Sequence, residues 1–363
     1  MRRMVIAGLL LAVAAMLIIL VIISPGKPGS CPGSESGRSI CEKRFVQIGG
    51  VRQGMFIRGS DTLNPVLLFV HGGPSFSEYF LVEKFFTGIE DHFTVCYWDQ
   101  RGGGLSVSPE VTRESLNLGQ LGSDLIEVTN YLRERFNKQK VYLMAHSGGT
   151  AFAIRAAAEN PQLFETYIGM AQITRQTESE KRAYKYMIEK YTSAGNIRMA
   201  DEIRKYPVDE DDSFVLPFFK SVLRDKSMHE LGIGTMRNMT SIMKGVFYPV
   251  WLCRAYTLKE KINIWHSKFS FVNKSELKAE VLGLDISAEV PVLEVPAYFF
   301  SGRYDLTVNR DLSEEYFEKL VCPVKGFYTF ENSAHSPMFE EPERFLEIML
   351  TDVLNGAVTL ADR

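Results

Sequence analysis

The sequence predicts an α/β fold: a mainly parallel sheet with flanking helices, an inserted helical cap, and an apolar helix ahead of both. Three observations carry this. Short apolar runs of strand type alternate with helical patterns over residues 43–173. The alternation stops over 174–290, where helical, aromatic and charged segments dominate, and resumes over 291–358. Residues 4–23 form an unbroken run of apolar and small residues, preceded by Arg2 and Arg3.

Twenty helical residues span about 30 Å, one hydrocarbon core, so residues 4–23 read as a single-pass transmembrane anchor. The leading arginines favour a cytoplasmic N-terminus, which puts the bulk of the chain on the extracytoplasmic side. The alternative is secretion after cleavage of a signal peptide. Such peptides carry about 7–15 apolar residues and a small-residue cleavage site, whereas this run is longer and exits through Ser24-Pro-Gly-Lys-Pro28. Residues 24–42, rich in Pro, Gly and Ser, read as a linker. An outside location permits disulfides. Among the five cysteines, Cys31 and Cys41 flank a Gly/Ser-rich loop and are able to pair; Cys96 falls in an apolar strand and reads as a buried thiol.

The core elements follow in order. Two strand-like runs, 44–48 and 54–58, surround Gly49-Gly50 and predict a hairpin. Residues 65–70 are continuously apolar, as in a strand buried on both faces. A helix is expected over 78–89, a strand over 93–98 and a helix over 118–136, with Leu121, Leu125, Val128 and Leu132 on one face. Residues 141–146 are a strand, 151–158 a helix and 167–171 a strand. Helices at 178–191 and 199–205 belong to the cap. Beyond it come a strand at 296–301, a helix at 312–320, a strand at 325–330 and a closing helix over 342–354.

Composition is that of an ordinary globular chain: 363 residues, 45% hydrophobic, 23% charged, formal net charge −3. It lacks a basic stripe and zinc-type Cys/His spacing, so neither nucleic acid nor a metal is expected. Nothing in it fixes an oligomeric state.

Ser147 carries the chemistry. A strand runs into His146-Ser-Gly-Gly149, and a helix follows. Such a turn strains the serine and exposes its hydroxyl, and it needs small residues two before and two after: Ala145 and Gly149. A serine hydroxyl is a poor nucleophile at neutral pH, so an imidazole must take its proton and a carboxylate must orient that imidazole. His335 and Asp305 each lie just past a predicted strand, in the order Ser, Asp, His. His71-Gly-Gly-Pro74 follows the most apolar strand. The backbone N–H groups of Gly73 and Gly148 are therefore the expected oxyanion donors. His146 reads as structural, because neighbouring side chains on such a turn diverge. Asp99-Gln-Arg101 reads as a structural loop.

Together, His71-Gly-Gly-Pro74, Trp98-Asp-Gln-Arg-Gly102, the Ser147 turn, Gly302-Arg-Tyr-Asp305 and His335 resemble the α/β-hydrolase superfamily, near its proline iminopeptidase branch. The resemblance covers about 44–173 and 291–355 and is weaker over the cap. It implies a serine hydrolase that needs no cofactor, acting on a peptide N-terminus or a small acyl substrate. It also implies acidic cap residues that hold a substrate amine, with Glu178 and Glu180 the candidates by position. The chain departs from the branch at Ala145 (usually Gly), Gly148 (usually Trp) and Ser75 (usually Gly). Alternatives are a carboxylesterase or acyltransferase on a small acyl substrate, or a non-catalytic binding protein on the same fold.

Overall fold

The computed structural model describes residues 6, 19–29, 33 and 37–363. Eight strands form one sheet, in the order β1-β2-β4-β3-β5-β6-β7-β8. They are β1 (Ile40–Ile48), β2 (Val51–Gly59), β3 (Val66–Val70), β4 (Thr94–Trp98), β5 (Val141–His146), β6 (Phe164–Met170), β7 (Ala297–Gly302) and β8 (Lys325–Phe330). β1 and β2 form the expected hairpin, Ile48 opposite Val51, and β2 runs antiparallel to β4. Gly49 and Gly50 both take positive φ, which a two-residue hairpin turn of matching twist demands. All other pairs are parallel, so the sheet is mixed.

Apolar side chains cover both faces. On one face, α2 (Leu118–Phe136) and α3 (Thr150–Glu159) pack Leu121, Leu125, Val128, Leu132 and Phe152 against β-strand residues such as Leu68 and Leu143. On the other, α1 (Tyr79–Lys84) and the C-terminal helices pack Tyr79, Phe80, Phe345 and Ile348 against Phe69, Met144 and Tyr328. The helix expected over 78–89 is shorter, because Phe85 turns extended at its C-cap. The closing helix expected over 342–354 runs as Pro342–Ile348 and continues in a wider π-helical turn over Met349–Val353; a separate short helix, Pro337–Glu340, precedes it, and both short helices carry proline in their first turn.

Between β6 and β7 the described residues hold helices and no strand, the main ones being α4 (Gln176–Ser193), α5 (Ile197–Arg204), α6 (Val222–Glu230), α7 (Leu258–His266) and α8 (Leu277–Gly283). Tyr184, Met187, Ile203, Phe218 and Met228 form a small core of this segment's own.

β1 begins at Ile40, inside the stretch expected to be linker. Nor is the start of that stretch loose. Ser24 Oγ accepts from the buried Lys261 ammonium at 2.8 Å, and Gly26 and Lys27 donate to the Arg254 carbonyl. Cys41 is disulfide-bonded, while Cys96, Cys253 and Cys322 are free thiols. Cys31 lies outside the described residues. Most of the expected anchor at 4–23 lies outside them too. Among the described residues, no helix is long and apolar enough to cross a membrane.

Candidate active site

The parallel strands place their carboxyl ends level. Val70 pairs with Ala145, Ala145 with Gly169, Met170 with Phe300 and Gly302 with Phe330. Loops leaving β3, β5, β7 and β8 therefore meet at one edge, the usual ligand edge of such a sheet. They carry His71-Gly-Gly-Pro74, Ser147, Asp305 and His335 respectively.

Ser147 sits at the tip between β5 and α3, with φ of 50°. A non-glycine residue there is strained and holds its side chain clear of the turn. The turn is tight enough to demand its small neighbours. A Cβ on Gly149 would lie 2.5 Å from the His71 carbonyl, and one on Gly148 2.6 Å from the Pro74 nitrogen. No side chain fits after the serine, which gives the glycine at 148 a steric cause.

His335 Nε2 lies 2.7 Å from Ser147 Oγ, and its Nδ1 lies 2.8 Å from Asp305 Oδ2. Asp305 is locked: its Oδ1 accepts from the backbone N–H of Thr307 at 2.9 Å and of Val308 at 3.0 Å. The three residues predicted from order alone thus form one hydrogen-bonded line from hydroxyl to carboxylate. Such a line can move a proton off the hydroxyl. Gly73 and Gly148 both line the cavity above Ser147, in contact through Pro74.

A second buried line supports the first. Both Glu78 oxygens lie 2.9–3.0 Å from His146 Nδ1, and His146 Nε2 donates to the His335 carbonyl at 2.8 Å. Burial works against charge on both groups. Their mutual attraction and hydrogen bonds nonetheless hold the His146 imidazole above its ordinary value and the Glu78 carboxyl below its own. Both ring nitrogens then donate, as the geometry requires. Glu340 accepts from Ala334 N–H at 2.9 Å and Ser336 N–H at 3.3 Å, fixing the backbone on either side of His335.

The Asp99–Arg101 loop is structural, as expected. Arg101 forms a buried two-point pair with Asp124 at 2.7 and 2.8 Å. Gln100 accepts from Ser75 N–H at 2.9 Å and so steadies the loop that holds Gly73. Burial pulls His71 below its ordinary value; its Nε2 accepts from Gln100 N–H and its Nδ1 faces the Gly72 carbonyl.

The cavity over Ser147 has a volume of about 200 Å³, and helices of the segment between β6 and β7 supply much of its wall. The two glutamates expected to face a substrate do not line it. Glu178 pairs with Arg182 at 3.1 Å on the surface, and Glu180 is fully buried behind Arg224, at 2.5 and 2.9 Å. The carboxylates that do line it are Glu78 and Asp225. The sequence offered one signal for Glu78, an acidic residue embedded among apolar ones just after the glycine loop. Asp225 lies in a short charged helix, Val222–Glu230, and gave none. Among the described residues, no group of His, Cys, Asp and Glu is arranged to hold a metal.

Residues 65–342 match the α/β hydrolase fold family. The chain belongs to that family and is a hydrolase. It is 32% identical over 319 residues to the probable aminopeptidase YbaC of Bacillus subtilis (strain 168), covering 85% of this chain and 95% of that protein. It is 24% identical over 307 residues to a proline iminopeptidase of Saccharolobus solfataricus, covering 81% and 85%. Among solved structures, a proline iminopeptidase-related protein of Thermus thermophilus shares the fold with a TM-score of 0.56 at 19% identity, covering 88% of this chain and 99% of that one.

Proposed function

We propose that the protein is a serine hydrolase that cleaves an amide through an acyl-enzyme, as an aminopeptidase of the proline iminopeptidase type. The observation that carries this is the Ser147–His335–Asp305 line at the floor of the cavity. In this reading Ser147 Oγ attacks the scissile carbonyl while His335 Nε2 takes its proton. Asp305 steadies the imidazolium, and the N–H groups of Gly73 and Gly148 hold the oxyanion. His335 returns the proton to the departing amine. It then activates a water that frees the acyl group and restores Ser147.

Glu78 is our candidate for the substrate's free α-amine. A Cβ on Gly72 would lie 2.9 Å from Glu78 Oε1 and 3.0 Å from the Ser147 Cβ, so carboxylate and nucleophile flank the same backbone position. The names of the relatives, aminopeptidase and proline iminopeptidase, support the same reading. The small cavity suits one or two residues, since pockets for drug-sized ligands run to about 300–1,000 Å³. A panel of aminoacyl arylamides with free and blocked amines, beside short acyl esters, tests it. The proposal predicts faster turnover with the free amine, greatest with proline. Equal rates with free and blocked amines would move the reading to a carboxylesterase.

We further propose that residues 4–23 anchor the protein in a membrane, with the catalytic domain outside. The apolar run supports this, as do the exposed side chains of Ile19, Val21 and Ile22. Exposed Tyr248, Leu252, Ile262 and Phe269 lie on the helical segment that receives Ser24 through Lys261. Full-length protein should sediment with membranes and a chain beginning at residue 25 should not. Full-length protein in the supernatant would refute the anchor.

A further inference from the structure

Three cations from the helical segment reach the cavity wall: Arg224, Lys268 and Lys278. Arg224 is neutralised. It makes two bonds to Glu180 and a third to Asp225 Oδ1 at 3.2 Å. Neither Lys268 nor Lys278 makes an ion pair among the described residues. The Lys278 ammonium donates to Asn273 Oδ1 at 3.1 Å and stands 5.5 Å from the Phe219 ring centre. That of Lys268 stands 4.6 Å over the Phe76 ring. Ring contacts position an ammonium without cancelling its charge. With Glu78 and His146 balancing each other, these three cations meet two further carboxylates, Glu180 and Asp225, and one positive charge is left over.

We infer that Lys268 and Lys278 form a subsite for a substrate carboxylate, so that the preferred substrate is a short peptide whose free C-terminus lies in the same cavity as its scissile bond. This rests on the hydrolase reading above and names its substrate class. The placement fits. Phe76, under Lys268, follows directly on the glycine loop that carries Gly73, so the subsite adjoins the reacting carbonyl. A carboxylate matches the count, since one negative charge balances one excess cation, whereas a phosphomonoester carries nearly two. The titration of Lys278 is consistent with an unfilled demand for an anion. Burial pulls its ammonium down to about 8, helped by Lys268, Arg224 and Lys220 and opposed by Asp225. A bound carboxylate would oppose that pull.

Two substrates decide it: prolyl-alanine and prolyl-alanine amide, compared by kcat/KM on the full-length protein. Wild type should favour the free carboxylate by about tenfold or more, the range of a charge-assisted bond. Lys268→Met and Lys278→Met should each compress that ratio toward one, and Lys278→Arg should keep most of it. A wild-type ratio near one, or a ratio preserved in both methionine variants, would overturn the subsite. Binding is read separately on wild type, so a variant that fails to fold does not stall the test. Acetyl-alanine should slow fluorophosphonate labelling at about tenfold lower concentration than acetyl-alanine amide. Equal protection overturns the subsite while labelling itself leaves the hydrolase reading intact. No labelling and no turnover of either dipeptide overturns the hydrolase reading, and the subsite with it.

Discussion

Beside Ser147, at its strained φ of 50°, stands a charged pair that reaches His335 through its backbone carbonyl and through a ring contact with His146 at 4.9 Å. His146 donates to the carbonyl of His335, and Glu78 fixes His146. The pair makes a prediction through linkage. The Glu78 carboxyl is held below its ordinary value, so its contribution to stability is present above the usual carboxylate range and lost as pH falls through the lowered value. The His146 imidazole is held above its own, so its contribution is present below about 6.5 and lost as pH rises through the raised value. Glu78→Gln leaves His146 buried without a counter-charge. The imidazole can escape by releasing its proton, so the cost is that of an impaired buried hydrogen bond, about 1–3 kcal/mol, rather than of a stranded ion. Urea unfolding across pH 5–9 should show that loss at neutral pH and a flatter profile on the alkaline side. Unchanged stability, or a wild-type alkaline decline in the variant, would contradict the role given to the pair.

At the level of elements, the sheet was legible because burial on both faces writes strands as continuous apolar runs. Residues 66–70 and 94–98 were readable in this way. The loops past them were legible for a related reason: backbone crowding leaves glycine no substitute. A Cβ on Gly302 would collide with the Ala334 carbonyl, directly beneath the loop that carries His335. Such constraints mark Ser147, Asp305 and His335 in sequence. What escaped was everything decided by contacts between distant segments. Glu180 read as a candidate for the substrate amine because its partner Arg224, which takes up its charge, comes from another helix, 44 residues on. The cavity carboxylate Asp225 and the cations Lys268 and Lys278 come from elements with no common pattern. The short helix Pro337–Glu340 and the π-helical turn that ends the closing helix are features that periodicity alone does not resolve.

Across the whole molecule, the work divides under the proposed function: one sheet edge supplies the reacting groups and the helical segment the groups that select a substrate. The mixed charge of the cavity follows from this division: Glu78 comes from the core, while Asp225, Lys268 and Lys278 come from the insertion. Everything said of substrate depends on Ser147 being the reacting atom. The most direct measurement is therefore mass spectrometry of the intact, folded protein after exposure to a fluorophosphonate, with peptide mapping of the adduct. Wild type should take up one phosphonyl group on Ser147, Ser147→Ala should take up none, and His335→Ala should react at least about a hundredfold more slowly. Equal labelling of wild type and Ser147→Ala, or an adduct mapped to another residue, would contradict the account.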